Sequence, residues 1–233
     1  MKDLICGFEK MSMVDYDGKI AATMFLGNCN FRCPFCHNAS LVLNYQNIEK
    51  YTLEEILSYL KKRSGIIEAV CITGGEPTIY PDLEFIMREF KNLNLLVKLD
   101  TNGSNPKVIK DLVGKGLVDY IAMDIKNSLS KYPQTTSIIN LDIDKIKESI
   151  DFIMKSGIDY EFRTTLVKEY HNLDDIKEIS QIIKGAKKYI LQCFVDNGEC
   201  LKQGLHKIDK EDVLGFKVIL DKTIENVLLR NYE

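Results

Sequence analysis

The sequence predicts an α/β protein built as a partial (β/α)6 barrel. Buried-strand patterns alternate with helical patterns six times along 233 residues, and turn-forming residues separate the two kinds of segment. Such alternation predicts a parallel sheet with right-handed crossovers. A full barrel of eight repeats normally takes about 250 residues. Six repeats in this length therefore favour an incomplete barrel.

The strand patterns are short apolar runs, and a helical pattern with an apolar stripe follows most of them. Strands are predicted at 20–26, 69–73, 95–100, 120–126, 160–167 and 189–195, with a short terminal strand at 226–229. Helices are predicted at 53–60, 83–90, about 106–113, about 144–155 and about 174–183, with one more before the terminal strand. Thr52 is placed to cap the first helix, and Pro106 and Gly114 bound the third.

We expect one domain over residues 1–233, with a motif-bearing core at about 18–200 and a C-terminal extension at about 207–233. The net charge of −3 gives no reason to expect nucleic acid or an anionic membrane as a partner. No apolar stretch approaches the roughly 20 residues of a membrane span, and the first residues lack the apolar region of a signal peptide. Seven cysteines without a secretory signal predict a reducing, cytoplasmic location.

Three cysteines, Cys29, Cys33 and Cys36, follow the first predicted strand with the spacing C-x3-C-x2-C. Three thiolates so close together can converge on one soft metal centre, and a site with three protein ligands keeps one coordination position open. The alternative is a structural zinc site with a distant fourth ligand, such as His37 or Cys71.

A second motif, Gly74-Gly75-Glu76-Pro77, ends the next predicted strand. C-x3-C-x2-C after one strand and G-G-E-P after the next resemble the radical S-adenosylmethionine (SAM) superfamily, and the resemblance spans most of the chain. The ending Cys36-His37-Asn38 resembles the activases of glycyl-radical enzymes. Within those, the run from Arg32 to Asn38 is most similar to the anaerobic ribonucleoside-triphosphate reductase activating proteins.

The resemblance implies a partial (β/α)6 barrel and a reaction. Cys29, Cys33 and Cys36 would hold three irons of a 4Fe–4S cluster, and SAM would chelate the fourth. One-electron cleavage of SAM would produce a 5′-deoxyadenosyl radical, which would take a hydrogen atom from a glycine of the partner. The implied partners are a glycyl-radical enzyme, the anaerobic ribonucleoside-triphosphate reductase, and a one-electron donor such as flavodoxin or ferredoxin.

By the same resemblance, the turn at Gly74, Gly75 and Glu76 receives the methionine end of SAM. Two glycines allow close backbone approach, and Glu76 is expected to brace the turn. Phe35 would stack on the adenine. The plainer alternatives are an ordinary strand-to-helix loop for the glycines and loop packing for Phe35 and His37.

Further site residues are expected at the carboxyl ends of later strands, where barrel enzymes place their chemistry. Asp100 and Asn102 would lie near SAM, or would cap a turn. Asp124 and Lys126 alternate along a strand and should share one face, as site residues or as a structural ion pair. Arg163 would bind the SAM carboxylate, or would pair with Glu161.

Two other functions stay open from the sequence. One is a different radical SAM enzyme, which activates a pyruvate formate-lyase type of enzyme or acts on a small-molecule heterocycle, with specificity in loops such as 128–140. The other is a non-catalytic iron–sulfur or metal protein, but a carrier would use four protein ligands and would not need the glycine turn.

Overall fold

The computed structural model describes residues 4–196 and 198–232. The chain forms two compact units. The first contains residues 4–30, 40–101 and 105–121, and the second contains residues 31–39, 102–104, 122–196 and 198–232. Strands alternate with helices in both units, which confirms the predicted α/β class.

The first unit is built on a sheet whose parallel strands are joined by helices. β2, β3 and β4 are parallel, with Ala21 opposite Ala69 and Ala69 opposite Leu96, whereas β1 runs antiparallel to β2. All of β2 except the half-buried Phe25 is buried, as expected for a parallel strand covered on both faces. The elements are β1 (Ile5–Ser12), β2 (Ala21–Leu26), α1 (Ala39–Leu43), α2 (Leu53–Lys62), β3 (Ala69–Gly74), α3 (Leu83–Asn92), β4 (Leu96–Thr101) and α4 (Pro106–Gly114).

The second unit also has parallel strands with helices between them. β7 is hydrogen-bonded to β6 on one side and to β8 on the other. Phe162 of β6 and Tyr189 of β7 are fully buried. The elements are β5 (Tyr120–Asp124), α5 (Tyr132–Thr136), α6 (Ile143–Lys155), β6 (Asp159–Leu166), α7 (Leu173–Ile182), β7 (Tyr189–Cys193), α8 (Lys210–Leu220) and β8 (Val227–Arg230), and β5 begins in the first unit.

The local signals at helix ends act as the sequence predicts. Thr52 caps α2 with a capping box, since its Oγ1 accepts from the Glu55 N–H at 3.2 Å and a Glu55 carboxylate oxygen accepts from the Thr52 N–H at 2.8 Å. Pro106 is the first residue of α4. Among the described residues, no helix is long and apolar enough to cross a membrane.

Three local predictions differ from the structure. The antiparallel strand β1 and the short helices α1 and α5 are additional elements, and α5 lies inside the segment 128–140 that was expected to be a loop. β5 and β7 end two residues earlier than their predicted ends at 126 and 195. The expectation that Arg163 lies at a strand end is wrong, because Thr164–Leu166 continue β6 beyond it.

Candidate functional site

In the first unit, the turn after β3 packs against the backbone that leads into the cysteine segment. The Gly75 N–H donates to the Leu26 carbonyl at 2.8 Å, and the Glu76 N–H donates to the Asn28 carbonyl at 2.9 Å. Gly74 has φ +118°, and a Cβ on it would lie 2.3 Å from the Leu26 oxygen. A Cβ on Gly75 would lie 1.7 Å from the Asn28 oxygen. The two glycines therefore let this turn fix the backbone immediately before Cys29.

Glu76 is buried at this turn, and its carboxylate accepts hydrogen bonds from neighbouring residues. One of its oxygens accepts from the Thr78 N–H at 3.1 Å, from the Thr78 hydroxyl, and from the Thr101 hydroxyl at 2.7 Å. Glu76 thus connects the turn after β3 to the last residue of β4. Asp100, beside Thr101, accepts a weak hydrogen bond from the Cys71 thiol at 3.6 Å.

In the second unit, the remainder of the cysteine segment is held by backbone hydrogen bonds on two sides. The Arg32 N–H donates to the Thr136 carbonyl at 2.9 Å, and the Lys202 N–H donates to the Pro34 carbonyl at 2.9 Å. Cys33 and Cys36 belong to one turn, closed by the Cys36 N–H on the Cys33 carbonyl at 3.0 Å. Burial raises the pKa of the Cys33 thiol to about 11 even though the Lys126 ammonium opposes this shift.

The aromatic residues of the cysteine segment pack against other rings. The Phe35 ring lies 5.7 Å from the Tyr170 ring and 6.1 Å from the His171 ring, measured between centroids. The His37 ring stacks on Phe194 at 5.5 Å with an interplanar angle of 16°. Loop packing, the alternative weighed for Phe35 and His37, is therefore present for both; the adenine contact of Phe35 stays a prediction.

Asp124 links the two basic residues predicted for the site. Its carboxylate accepts from the Arg163 Nε at 2.9 Å and from the Lys126 Nζ at 2.8 Å. Burial alone would raise the pKa of this carboxyl, but the two cations outweigh it and lower the pKa to about 2. Arg163 is farther from Glu161, at 3.9 Å, so its principal carboxylate partner is Asp124.

Asn102 belongs to the second unit and helps to form a turn. It is buried, and its side-chain oxygen accepts from the Ser104 N–H at 2.9 Å. This is the turn-capping arrangement that was weighed against a contact with SAM. The contact with SAM stays a prediction.

Several buried polar residues around β5 and the cysteine segment were not predicted from the sequence. Tyr132 and Thr136 of α5 bond to the segments that carry Lys126 and Arg32, and the His171 Nε2 lies 2.9 Å from the Lys126 carbonyl oxygen. Burial lowers the pKa of His171, which favours the neutral ring. The Nδ1 accepts from the Val167 N–H at 3.1 Å, which leaves Nε2–H as the donor to the Lys126 carbonyl. The one sequence signal for α5 is Pro133 in its first turn.

Each unit brings together part of the predicted residue set. The first contains Cys29, Gly74, Gly75, Glu76 and Asp100, and the second contains Cys33, Phe35, Cys36, Asn102, Asp124, Lys126 and Arg163. Within residues 4–196 and 198–232, no three His, Cys, Asp or Glu side chains are already arranged as a metal site. The donor chemistry nevertheless fits an iron–sulfur cluster, because Cys29, Cys33 and Cys36 are thiols outside any disulfide in one short stretch of sequence.

Comparison with known proteins shows which family has this combination of fold and motifs. The family model of the radical SAM superfamily matches residues 23–183. A Methanocaldococcus jannaschii protein, provisionally named a glycyl-radical enzyme activating enzyme, is 34% identical over 99% of this chain and 97% of its own length. The 7-carboxy-7-deazaguanine synthase of Haemophilus influenzae is also 34% identical, but over 43% of this chain and 41% of its own.

Solved structures show the same fold. Streptococcus suis SuiB matches with a TM-score of 0.66 over 88% of this chain, at 14% identity, and this chain spans 47% of the length of SuiB. A domain of a pyruvate-formate lyase-activating enzyme from Bacteroides vulgatus matches with a TM-score of 0.55 over 68% of this chain, at 15% identity. These likenesses confirm the fold class that the sequence predicts. The chain belongs to the radical SAM superfamily, and it is an enzyme of that type whose cofactors are a 4Fe–4S cluster and SAM.

Proposed function

We propose that this protein activates a glycyl-radical enzyme, and that its target is an anaerobic ribonucleoside-triphosphate reductase. The observation that carries the activase function is the similarity to the M. jannaschii protein over nearly the full length of both chains. The similarity to the deazaguanine synthase has the same identity but covers less than half of the chain. The choice of reductase rests on the run from Arg32 to Asn38, which resembles the activators of that enzyme.

We propose that Cys29, Cys33 and Cys36 hold the cluster. When bound, the cluster and SAM supply one-electron cleavage of SAM and hence hydrogen-atom abstraction. The protein's own contribution is to position and shield these groups. The turn at Gly74 and Gly75 fixes the backbone before Cys29, and the burial of Cys33 excludes water from that part of the segment.

We propose that the polar residues at and near the strand ends, together with Arg163 within β6, bind SAM. Asp124 is ionised at neutral pH because its pKa is about 2, and it keeps the Arg163 and Lys126 side chains beside each other. The Arg163 Nε is engaged by Asp124, so a contact with the SAM carboxylate would use the terminal guanidinium nitrogens. Glu76 acts inside the turn, and Asp100, Asn102 and Phe35 complete the proposed set.

The experiment is electron paramagnetic resonance on the anaerobically reconstituted protein, reduced with dithionite and mixed with SAM and an anaerobic ribonucleotide reductase. We expect a doublet glycyl signal on the reductase and release of 5′-deoxyadenosine. Cys33→Ala should abolish both the signal and the stoichiometric iron content. Cys6→Ala, which removes a buried thiol of β1 outside the triplet, should retain both.

Other outcomes would redirect the proposal. A glycyl signal on pyruvate formate-lyase and none on the reductase would contradict the choice of target but keep the activase function. Deoxyadenosine without any glycyl signal would contradict the activase function and favour a small-molecule substrate. We also propose a cytoplasmic location and a flavodoxin or ferredoxin as the electron donor. The location is supported by the cysteines, none of which forms a disulfide in the described part of the chain.

A further inference from the structure

The short helix α5 connects two of the segments that carry proposed site residues. The hydroxyl of Tyr132 accepts a hydrogen bond from the Lys126 N–H at 3.1 Å and donates to the Asp124 carbonyl at 3.3 Å. Tyr132 is fully buried. A single side-chain oxygen therefore binds both ends of the backbone segment 124–126, which carries the Asp124 and Lys126 side chains.

The other end of α5 holds the cysteine segment. The Thr136 carbonyl accepts from the Arg32 N–H, next to Cys33, at 2.9 Å. The Thr136 hydroxyl donates to the Tyr132 carbonyl at 2.8 Å, so the two contacts are joined through one turn of helix. A shift of Tyr132 is thereby transmitted to the backbone of Arg32 and Cys33.

The start of α5 is anchored to α7, so the helix is not a mobile loop. The buried Asp175 accepts from the Ser128 hydroxyl at 2.9 Å and from the Lys131 ammonium at 2.7 Å. The Glu178 carboxylate accepts from the Leu129 N–H at 2.8 Å. These charge-assisted bonds give α5 a fixed base from which Tyr132 and Thr136 reach the two site segments.

We propose that Tyr132 is a positioning residue of the SAM site, one that sets the Lys126 ammonium and the Asp124 carboxylate against the segment carrying Cys33. Loss of its hydroxyl leaves the part-buried Lys126 N–H without this acceptor, and an unsatisfied donor of this kind moves to find another. Because Lys126 and Arg163 both pair with Asp124, that movement changes the positions of all three side chains together. The inference rests on the proposed SAM residues and not on the identity of the partner.

The test compares Tyr132→Phe with Tyr160→Phe. The hydroxyl of Tyr160 also accepts a backbone N–H at 3.1 Å, from Lys187, and Tyr160 is also buried. That bond lies at the amino end of β7, away from the cysteine segment. The two variants therefore remove the same kind of hydrogen bond from the same unit, at opposite ends of its strands.

The assay is reductive SAM cleavage without a partner protein, together with the electron paramagnetic resonance spectrum of the reduced, SAM-bound cluster. For Tyr132→Phe we expect the KM for SAM to rise about 3- to 10-fold, the effect of one lost hydrogen bond, and the g values to change. We expect Tyr160→Phe to leave both unchanged. In the cluster-free protein, hydrogen exchange of the Lys126 amide should accelerate in Tyr132→Phe alone.

Equal KM values and identical spectra in Tyr132→Phe and wild type would overturn the proposal. Equal shifts in both variants would do so as well, because they would show general destabilisation. If Tyr132→Phe does not fold, Thr136→Val removes only the hydroxyl bond to the Tyr132 carbonyl, and the same spectroscopic comparison applies. The absence of any glycyl signal would contradict the proposed partner. It would not affect the comparison of Tyr132→Phe with Tyr160→Phe, because that assay contains no partner protein.

Discussion

Replacing Gly75 by alanine tests whether the turn after β3 fixes the start of the cysteine segment. The new Cβ would lie 1.7 Å from the Asn28 carbonyl oxygen and 2.5 Å from its carbonyl carbon, whereas real Cβ atoms essentially never approach within 3.0 Å. The two backbones must therefore separate by more than an ångström. The Asn28 atoms that the Cβ would meet belong to the backbone, so no side-chain rotation can relieve the overlap.

The separation breaks identifiable hydrogen bonds. The bond from the Glu76 N–H to the Asn28 carbonyl is 2.9 Å long, and the bond from the Gly75 N–H to the Leu26 carbonyl is 2.8 Å long. The loss of two such bonds, with the polar groups they leave behind, costs about 2–4 kcal/mol. With a urea dependence of roughly 2–3 kcal/mol per molar for a chain of this size, the midpoint should fall by about 1 M.

Urea denaturation of the cluster-free protein measures this change, and iron content after reconstitution measures its effect on the cysteines. Because Cys29 follows Asn28 directly, we expect iron binding to fall with stability. Gly114→Ala is the matched control: no atom lies within 4 Å of the added Cβ at the end of α4, so stability should be unchanged or rise by up to about 1 kcal/mol. A Gly75→Ala protein with the wild-type midpoint and full iron content would refute this account of the turn.

Three other changes test separate contacts. Glu76→Ala should lower the urea midpoint more than Thr101→Val does. It removes the acceptor of the two hydrogen bonds from Thr78 and the one from Thr101, whereas Thr101→Val removes one donor. The reverse order would show that the carboxylate does not brace the turn. Asp124→Asn, measured by thermal unfolding at each pH, should be less stable than wild type by a constant amount from pH 8 down to about pH 4. The difference in stability should close as the pH falls through the folded pKa of about 2. A difference that persisted at pH 2 would argue against the ion pairs. Asp175→Asn should accelerate hydrogen exchange over residues 128–136, measured by mass spectrometry, and should not affect α2; unchanged exchange would mean that Asp175 does not anchor α5.

The regular elements were predictable because their causes are local. The run Ala21–Leu26 is apolar except at Thr23 and is largely buried, and α2 begins at a capping box that is visible in the sequence. β1 carries no such signal: Glu9 and Lys10 are exposed, and only its first residues are buried. α5 is too short for helical periodicity and is held by bonds to distant residues, so its cause is tertiary.

The candidate site shows the same division between local and distant causes. The family was predictable because the cysteine triplet and the glycine turn follow successive strands, a combination that resembles the radical SAM superfamily. The partners of the site residues were not, because the Thr101 hydroxyl reaches Glu76 from the end of another strand and the Arg163 guanidinium reaches Asp124 from β6. Sequence proximity suggested Glu161 for Arg163, but Asp124 is the nearer carboxylate by about 1 Å.

The antiparallel strand β1 has a consequence for solubility. β2 lies between β1 and β3, so the backbone groups of its outer edge are paired with residues 5–12. Without β1, the edge of the sheet would be Ala21–Leu26, a run of almost entirely buried apolar residues. Such an edge is a template for strand pairing between molecules. Residues 5–12 thus shield β2 from intermolecular strand pairing, and we expect a protein shortened to begin at residue 13 to associate through β2.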